Sequence, residues 1–243
     1  QAVSGSDSGS GNKNLINTGE TSSSDKYVRV FSDPYHGTVA KFTQNNTNNE
    51  TVNQYMYINT PYSSGNIFYD IVNGDDLCTI ACWIYSAKYT TDTTQTNTFW
   101  GISDIGAGSR EVTLRHTHHS ISSNHDKLEL NFRNENSGVK HIISEMFTGM
   151  WTHVTICFKT GNYPTTGQQD TGEFICYING AIKTNGSSSN FTNILTQADK
   201  FLVGANQDSS GVQWGLNGYV HDLRIYDKWL DGCQINQIMN YGL

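Results

Sequence analysis

Apolar and polar positions alternate with a period of two along most of this chain. In Trp151-Thr-His-Val-Thr-Ile-Cys-Phe158, residues Val154, Ile156 and Phe158 fall on one face and Thr155 and Cys157 on the other, the pattern of a strand with one side on a core. Phe174, Cys176 and Ile178 make the matching face of 173–179. Between the two runs lie Gly161, Pro164, Gly167 and Gly172, so a hairpin with a long loop is predicted. Shorter alternating runs at 27–31, 38–42, 55–58, 78–85, 111–116 and 128–132 are separated by turn residues, which predicts further strands. Helical spacing is confined to the last dozen residues, where Asp231 is placed to cap and Ile235, Ile238 and Met239 share a face before Gly242. The pattern predicts an antiparallel sandwich with one short C-terminal helix, with Val154, Ile156, Phe158, Phe174, Ile178, Ile80 and Ile84 facing inward. No repeat stands out that would indicate a propeller or solenoid.

Composition narrows this picture. Of 243 residues, 36% are hydrophobic, 12% aromatic and 15% charged, so burial must rest on aromatic and β-branched side chains set among small polar ones. Residues 1–26 are rich in Ser, Gly, Asn and Thr and read as a flexible linker or arm, leaving 27–243 as one domain. A formal charge of -7 with only 15 Lys and Arg gives no basic stripe for a phosphate backbone, so nucleic acid is not an expected partner. No apolar run reaches the roughly 20 residues that span a bilayer, and the first residues lack a basic and then apolar signal. A soluble chain, with any secretion signal already removed, is expected.

The five cysteines, Cys78, Cys82, Cys157, Cys176 and Cys233, lack CxxC spacing, which excludes a zinc ribbon. Cys78 and Cys82 would lie about 13 Å apart along a strand, too far to bond. Cys157 and Cys176 would point to opposite sides of their sheet, which disfavours a bridge there too. At least one thiol is therefore free unless it bonds another chain. Asn45, Asn49, Asn185 and Asn190 begin glycosylation triplets, but a chain this rich in Asn, Ser and Thr generates such triplets by chance.

The segment Leu216-Asn-Gly-Tyr-Val-His-Asp-Leu-Arg-Ile-Tyr-Asp-Lys-Trp-Leu-Asp-Gly-Cys-Gln-Ile235 resembles the closing signature of laminin-G-like jelly rolls of the concanavalin A-like lectin and glucanase superfamily. Three earlier stretches are similar in the expected order: Gly37-Thr-Val-Ala-Lys-Phe42 with Tyr57-Ile58, Thr79-Ile-Ala-Cys-Trp-Ile-Tyr85, and Trp151-Thr-His-Val154 leading to Tyr177-Ile-Asn-Gly180. The resemblance covers about 27–241 and implies an all-β, two-sheet antiparallel jelly-roll sandwich. His221 stands where the family often has an acid, with Asp222 retained, so a calcium site resting on that pair is in question. Residues 92–125 are longer and more polar than the family pattern, which makes them a candidate source of specificity.

Glucanases of this superfamily carry a Glu-x-Asp-x-x-Glu strand, and no such run occurs. Glu129 and Glu145 are isolated strand-like carboxylates, read as solvent-facing charges, and no catalytic activity is expected. No nucleophile elbow, phosphate loop or zincin motif is present. His116 and His118 share a strand face at roughly 7 Å, and with His125 and Asp126 they could hold zinc, although a His-rich hairpin end accounts for them as well. For calcium, Asp222 comes first and Asp75 with Asp76 second, against ordinary roles as turn formers or hydrogen-bond acceptors. No organic cofactor is expected. For a glycan, Trp100 and Trp214, like Tyr89 and Tyr163, lie in loop-like surroundings where a ring face could stay open, and Arg115, Gln213 and Asn217 could bond hydroxyls. Trp83, Trp151 and Trp229 are expected to pack in or against the sandwich.

The leading expectation is a non-catalytic extracellular or surface-exposed recognition module for a glycan or glycoprotein surface, without membrane insertion. A structural subunit of a cell-surface, fibrous or virion assembly, contacting neighbouring subunits or copies of itself, is the alternative. A glycan-cleaving enzyme ranks behind both.

Overall fold

The computed structural model describes residues 16–17, 28–33, 36–43, 54–59, 68, 71, 77–87, 95–103, 111–118, 126–134, 137–146, 148–159, 172–188, 200–208 and 211–241, except residue 147 and individual side chains at strand ends. Along the chain these give β1 (Ile16–Asn17), β2 (Arg29–Asp33), β3 (Gly37–Phe42), β4 (Met56–Asn59), β5 (Leu77–Ser86), β6 (Gln95–Ser103), β7 (Glu111–His118) and β8 (Lys127–Asn134). They continue with β9 (Ser137–Glu145), β10 (Trp151–Lys159), β11 (Gly172–Ile178), β12 (Ala181–Ser188), β13 (Lys200–Val203), β14 (Asn206–Asp208), β15 (Gly211–Gln213) and β16 (Gly218–Tyr226), then the helix α1 (Gly232–Tyr241).

Two antiparallel sheets of seven strands carry the fold among the described residues. The first runs β1-β4-β13-β6-β7-β8-β9, the second β12-β11-β10-β5-β16-β3-β2, and β14 and β15 form a separate hairpin. The alternation read in β10 and β11 sets the register: Ile156 sits opposite Cys176 and Phe158 opposite Phe174. Ile80, Ile84, Val154, Ile156, Phe158, Phe174 and Ile178 are all in the main core cluster, as expected. They meet Ile102, Val112, Leu114, Leu130 and Phe132 of the first sheet, and Phe132 packs on Phe158 and Phe174 at centroid distances of 6.3 and 5.4 Å. Each such side chain contributes about 1.5–3 kcal/mol on burial. The fold class is the expected jelly-roll sandwich.

Cys78, Cys82 and Cys176 line this core, while Cys157 lies on the far side of the second sheet; those four are buried, and Cys233 is exposed on α1. That far side is half covered by α1. Leu230, Ile235 and Ile238 pack there on Ala81, Cys157 and Tyr177. The helix starts with a reciprocal cap: Asp231 Oδ1 accepts from Gln234 N at 2.9 Å and Gln234 Oε1 accepts from Asp231 N at 3.0 Å, satisfying two donors that would otherwise be orphaned. Gly218 is required where β16 passes β5, because a Cβ there would collide with the Tyr85 carbonyl.

The surroundings of Trp100 depart from expectation. It lies within β6 rather than in a loop, is 1% exposed, and stacks on Phe201 at 6.1 Å. The reason is a bulge between Thr98 and Trp100. One extra residue breaks the alternation, so Phe99 and Trp100 both enter the core. Within the segment read as an arm, Ile16–Asn17 pairs with β4; the rest of 1–26 lies outside the described residues. No helix among the described residues is long and apolar enough to cross a membrane.

Candidate functional site

On β7, Val112, Leu114 and His116 point into the sandwich, so Glu111, Thr113, Arg115 and Thr117 stand on the outer face of the first sheet. β8 adds Glu129 and Asn131 to that face, cross-strand from Arg115 and Thr113. All six are buried, and buried polar groups must find partners. The Glu111 carboxylate takes one amide on each oxygen, from Asn131 Nδ2 at 2.8 Å and from Asn206 Nδ2. Asn206 Oδ1 in turn accepts from Ser103 Oγ at 2.7 Å. Glu129 Oε2 accepts from Arg115 Nε at 3.2 Å and Thr117 Oγ1 at 3.1 Å. Gly101 leaves room for this arrangement, since a Cβ on it would crowd Asn206 Oδ1 and the Thr113 methyl. Two hydroxyls are left over: Thr98 Oγ1 and Thr113 Oγ1 are buried without a partner.

The segment 213–217 borders this face where β6 bulges. Gln213 pairs with Asn206 in the β14–β15 hairpin. Thr98 N donates to the Trp214 carbonyl at 3.1 Å, Leu216 N to the Gly204 carbonyl at 2.7 Å, and Asn217 N to Asn97 Oδ1 at 2.9 Å. Trp214 is held at φ 49, a left-handed conformation that costs a bulky residue about 1–3 kcal/mol. Its side chain is half-buried. Four of the five residues expected to meet a ligand, Arg115, Gln213, Trp214 and Asn217, thus gather around one bulge. Trp100 does not join them, because its ring is core. Arg115 lies on a strand, as the alternation predicts, with its Nε committed to Glu129.

The histidine reading is also revised. His116 is fully buried between the sheets, its Nδ1 2.8 Å from Ser86 Oγ, and Ser86 Oγ accepts from Asn97 Nδ2 at 2.8 Å. It ties β5 to β7, and Asn97 extends the tie to Asn217. Asp126 Oδ2 lies 3.8 Å from His116 Nε2. The side chain of His118 and all of His125 are outside the described residues, as are Tyr89, Tyr163, Asp75 and Asp76. A spacing of two fixes that His116 and His118 share a face but not which face it is. No group of three or more metal-ligating side chains occurs among the described residues. Asp222 sits at a bulge in β16 with φ 50, and its Oδ1 accepts from Arg224 Nε at 2.7 Å; a cation there would compete with the guanidinium. Glu145 is exposed on β9. Glu111 and Glu129 lie four ladder positions apart, a backbone separation of about 13 Å.

A family model described as the concanavalin A-like lectin/glucanases superfamily matches residues 53–236. No curated protein sequence matches the chain. Among solved structures, the binding domain of botulinum neurotoxin DC in complex with rat synaptotagmin II is similar with a TM-score of 0.63 and 17% identity, over 97% of this chain and 48% of that one. Domain 4 of AbnA, a GH43 extracellular arabinanase from Geobacillus stearothermophilus solved with arabinotriose, gives 0.57 and 16% over 92% and 87%. A botulinum neurotoxin type C structure, reported with cell entry dependent on two ganglioside molecules, gives 0.58 and 16% over 95% and 47%. The chain spans about half the length of the toxin chains it matches. At these identities the likeness establishes the fold. With the family match covering most of the sequence and the two-sheet sandwich in place, the chain belongs to the concanavalin A-like lectin/glucanase superfamily.

Proposed function

We propose that this chain is a non-catalytic, extracellular recognition module that binds carbohydrate along 213–217, the segment bordering the outer face of the first sheet. The observation that carries the reading is Trp214, a bulky, half-buried residue kept in a left-handed conformation at the edge of the first sheet. Strain of this kind collects where a side chain must be presented in one direction. An indole face covers sugar C–H groups, and the neighbouring half-buried Gln213 and Asn217 carry amides that can bond its hydroxyls. The arabinanase domain solved with arabinotriose supports the reading by analogy of fold. Small contact area implies micromolar to millimolar affinity, about 4–8 kcal/mol.

Trp214→Gly is the decisive variant, because glycine suits the left-handed backbone while removing the ring. It should keep the wild-type Tm and weaken binding of arabinotriose or another array-identified neutral oligosaccharide by at least about tenfold in calorimetry. Unchanged affinity, or a wild-type protein silent across a glycan array, sinks the proposal. A second reading, a subunit of a surface assembly, draws on the edge strands β9 and β12, which expose Ile142 at 52% and Ile182 at 62%. Sedimentation showing stable oligomers at micromolar concentration, without a glycan signal, would favour it.

A further inference from the structure

We propose that the half of the second sheet's outer face left bare by α1 is a second, separate carbohydrate site, a ring-lined shelf for a sugar. Two cross-strand rows build it. In one, Trp151, Tyr85, Tyr219 and Lys41 stand side by side on β10, β5, β16 and β3; in the next, His153, Trp83 and His221 follow the same order. The rows beyond, with Ala81 and Cys157, lie under α1. Tyr85 contacts Trp151 at 5.5 Å and Tyr219 at 5.1 Å between centroids, and Lys41 Nζ lies 5.8 Å from the Tyr219 ring centre. All three rings are half-buried.

The polar atoms on the shelf are already aimed. His36, from the β2–β3 turn, packs on Trp151 with ring centroids 4.4 Å apart and planes tilted by 30°. Its Nδ1 lies 3.0 Å from Asp33 Oδ1, and the same oxygen accepts from His36 N at 2.9 Å. His221 Nδ1 lies 2.8 Å from the Thr38 carbonyl. A carboxylate and a carbonyl only accept, so both Nδ1 atoms carry the proton, and in the neutral rings both Nε2 atoms are acceptors. The two Nε2 atoms, each able to accept from or donate to a hydroxyl according to the ring's proton count, stand beside a row of rings that match the C–H face of a sugar. Of the charges nearby, Asp222 is paired with Arg224, while Lys41 at the end of the first row and Asp33 beside His36 bring one charge of each sign to the shelf's border. Beside Trp83, at 5.1 Å, His153 is buried and backs the shelf.

The site is independent of the one bordered by Trp214, and one titration separates them. Arabinotriose and maltotriose, at millimolar concentration, are added to the full chain while the imidazole carbon-bound proton resonances of His36 and His221 are followed by NMR. The expected result is that one of these sugars shifts both resonances in wild type and equally in Trp214→Gly, and that Trp151→Ala weakens this effect at least about tenfold. His36→Ala, in the turn, serves in its place if Trp151→Ala does not fold. Resonances that stay fixed while the sugars bind elsewhere overturn the shelf and leave the first proposal standing; binding lost in Trp151→Ala but kept in Trp214→Gly does the reverse. Resonances unmoved by any sugar, with a dimer in sedimentation that Trp151→Ala dissolves, also overturn it and make the shelf a contact between copies.

Discussion

The two outer faces of the sandwich solve opposite problems. On the first sheet, Glu111, Arg115, Glu129 and Asn131 are buried and tied to one another and to Asn206 and Thr117. On the second, an apolar strip is closed by Ile235 and Ile238 of α1, and beyond it rings stand half-open. The inner faces show no such contrast, because both must fill one core. Binding chemistry is thus free to differ on the outside, where a polar face is tightly specified and a ring-lined face tolerant. A network member that loses its partner leaves a desolvated group behind, whereas a ring that loses a neighbour loses only contact.

The largest test of that contrast removes the cover from the second sheet. Ile235 is fully buried, so Ile235→Ala should lower unfolding free energy by about 2–5 kcal/mol in urea. Sugar affinity per folded molecule at the Trp214 rim should not change; if it does, the two faces are coupled. Next comes pH. Burial is the main cause that pushes the His153 imidazole from 6.5 down to about 4, with Asp222 opposing it and Arg224 adding to it. The unfolded chain takes its proton at about 6.5 and the folded chain only near 4. Stability from this group is therefore complete above pH 6.5 and is lost as pH falls toward 4, on the order of 3 kcal/mol. Urea midpoints at pH 7 and pH 4.5 should converge in His153→Gln relative to wild type; an identical pH profile would show that the ring is not desolvated. The smallest effect belongs to the first sheet: Glu111→Ala strips the acceptor from two buried amides and should cost about 2 kcal/mol, with Glu111→Gln milder. A neutral Glu111→Ala would mean that the polar face is not a working network.

How much of this was legible depends on what each residue faces. β5, β10 and β11 were readable because aliphatic and aromatic side chains alternate with polar ones, and the Asp231 cap because a side chain three residues on returns its bond. β6 was not, since its bulge places Phe99 and Trp100 on one side and Asn97, Thr98 and Gly101 mimic a loop. The polar face was hidden for a related reason: Glu111, Glu129 and Asn131 look solvated by residue type, and only their mutual pairing makes burial affordable. Trp214's left-handed backbone carries no sequence signal beyond the nearby Gly211 and Gly215.

The placement of the cysteines reaches beyond the fold. Desolvation holds the thiols of Cys78, Cys82 and Cys176 far above their ordinary range and raises that of Cys157 as well. Disulfide exchange proceeds through the thiolate, so burial slows exchange at these sulfurs relative to an exposed thiol. Of the five cysteines, Cys233 on α1 is the one that meets solvent, so an alkylating reagent added to the folded protein should reach it well before the four in the sandwich.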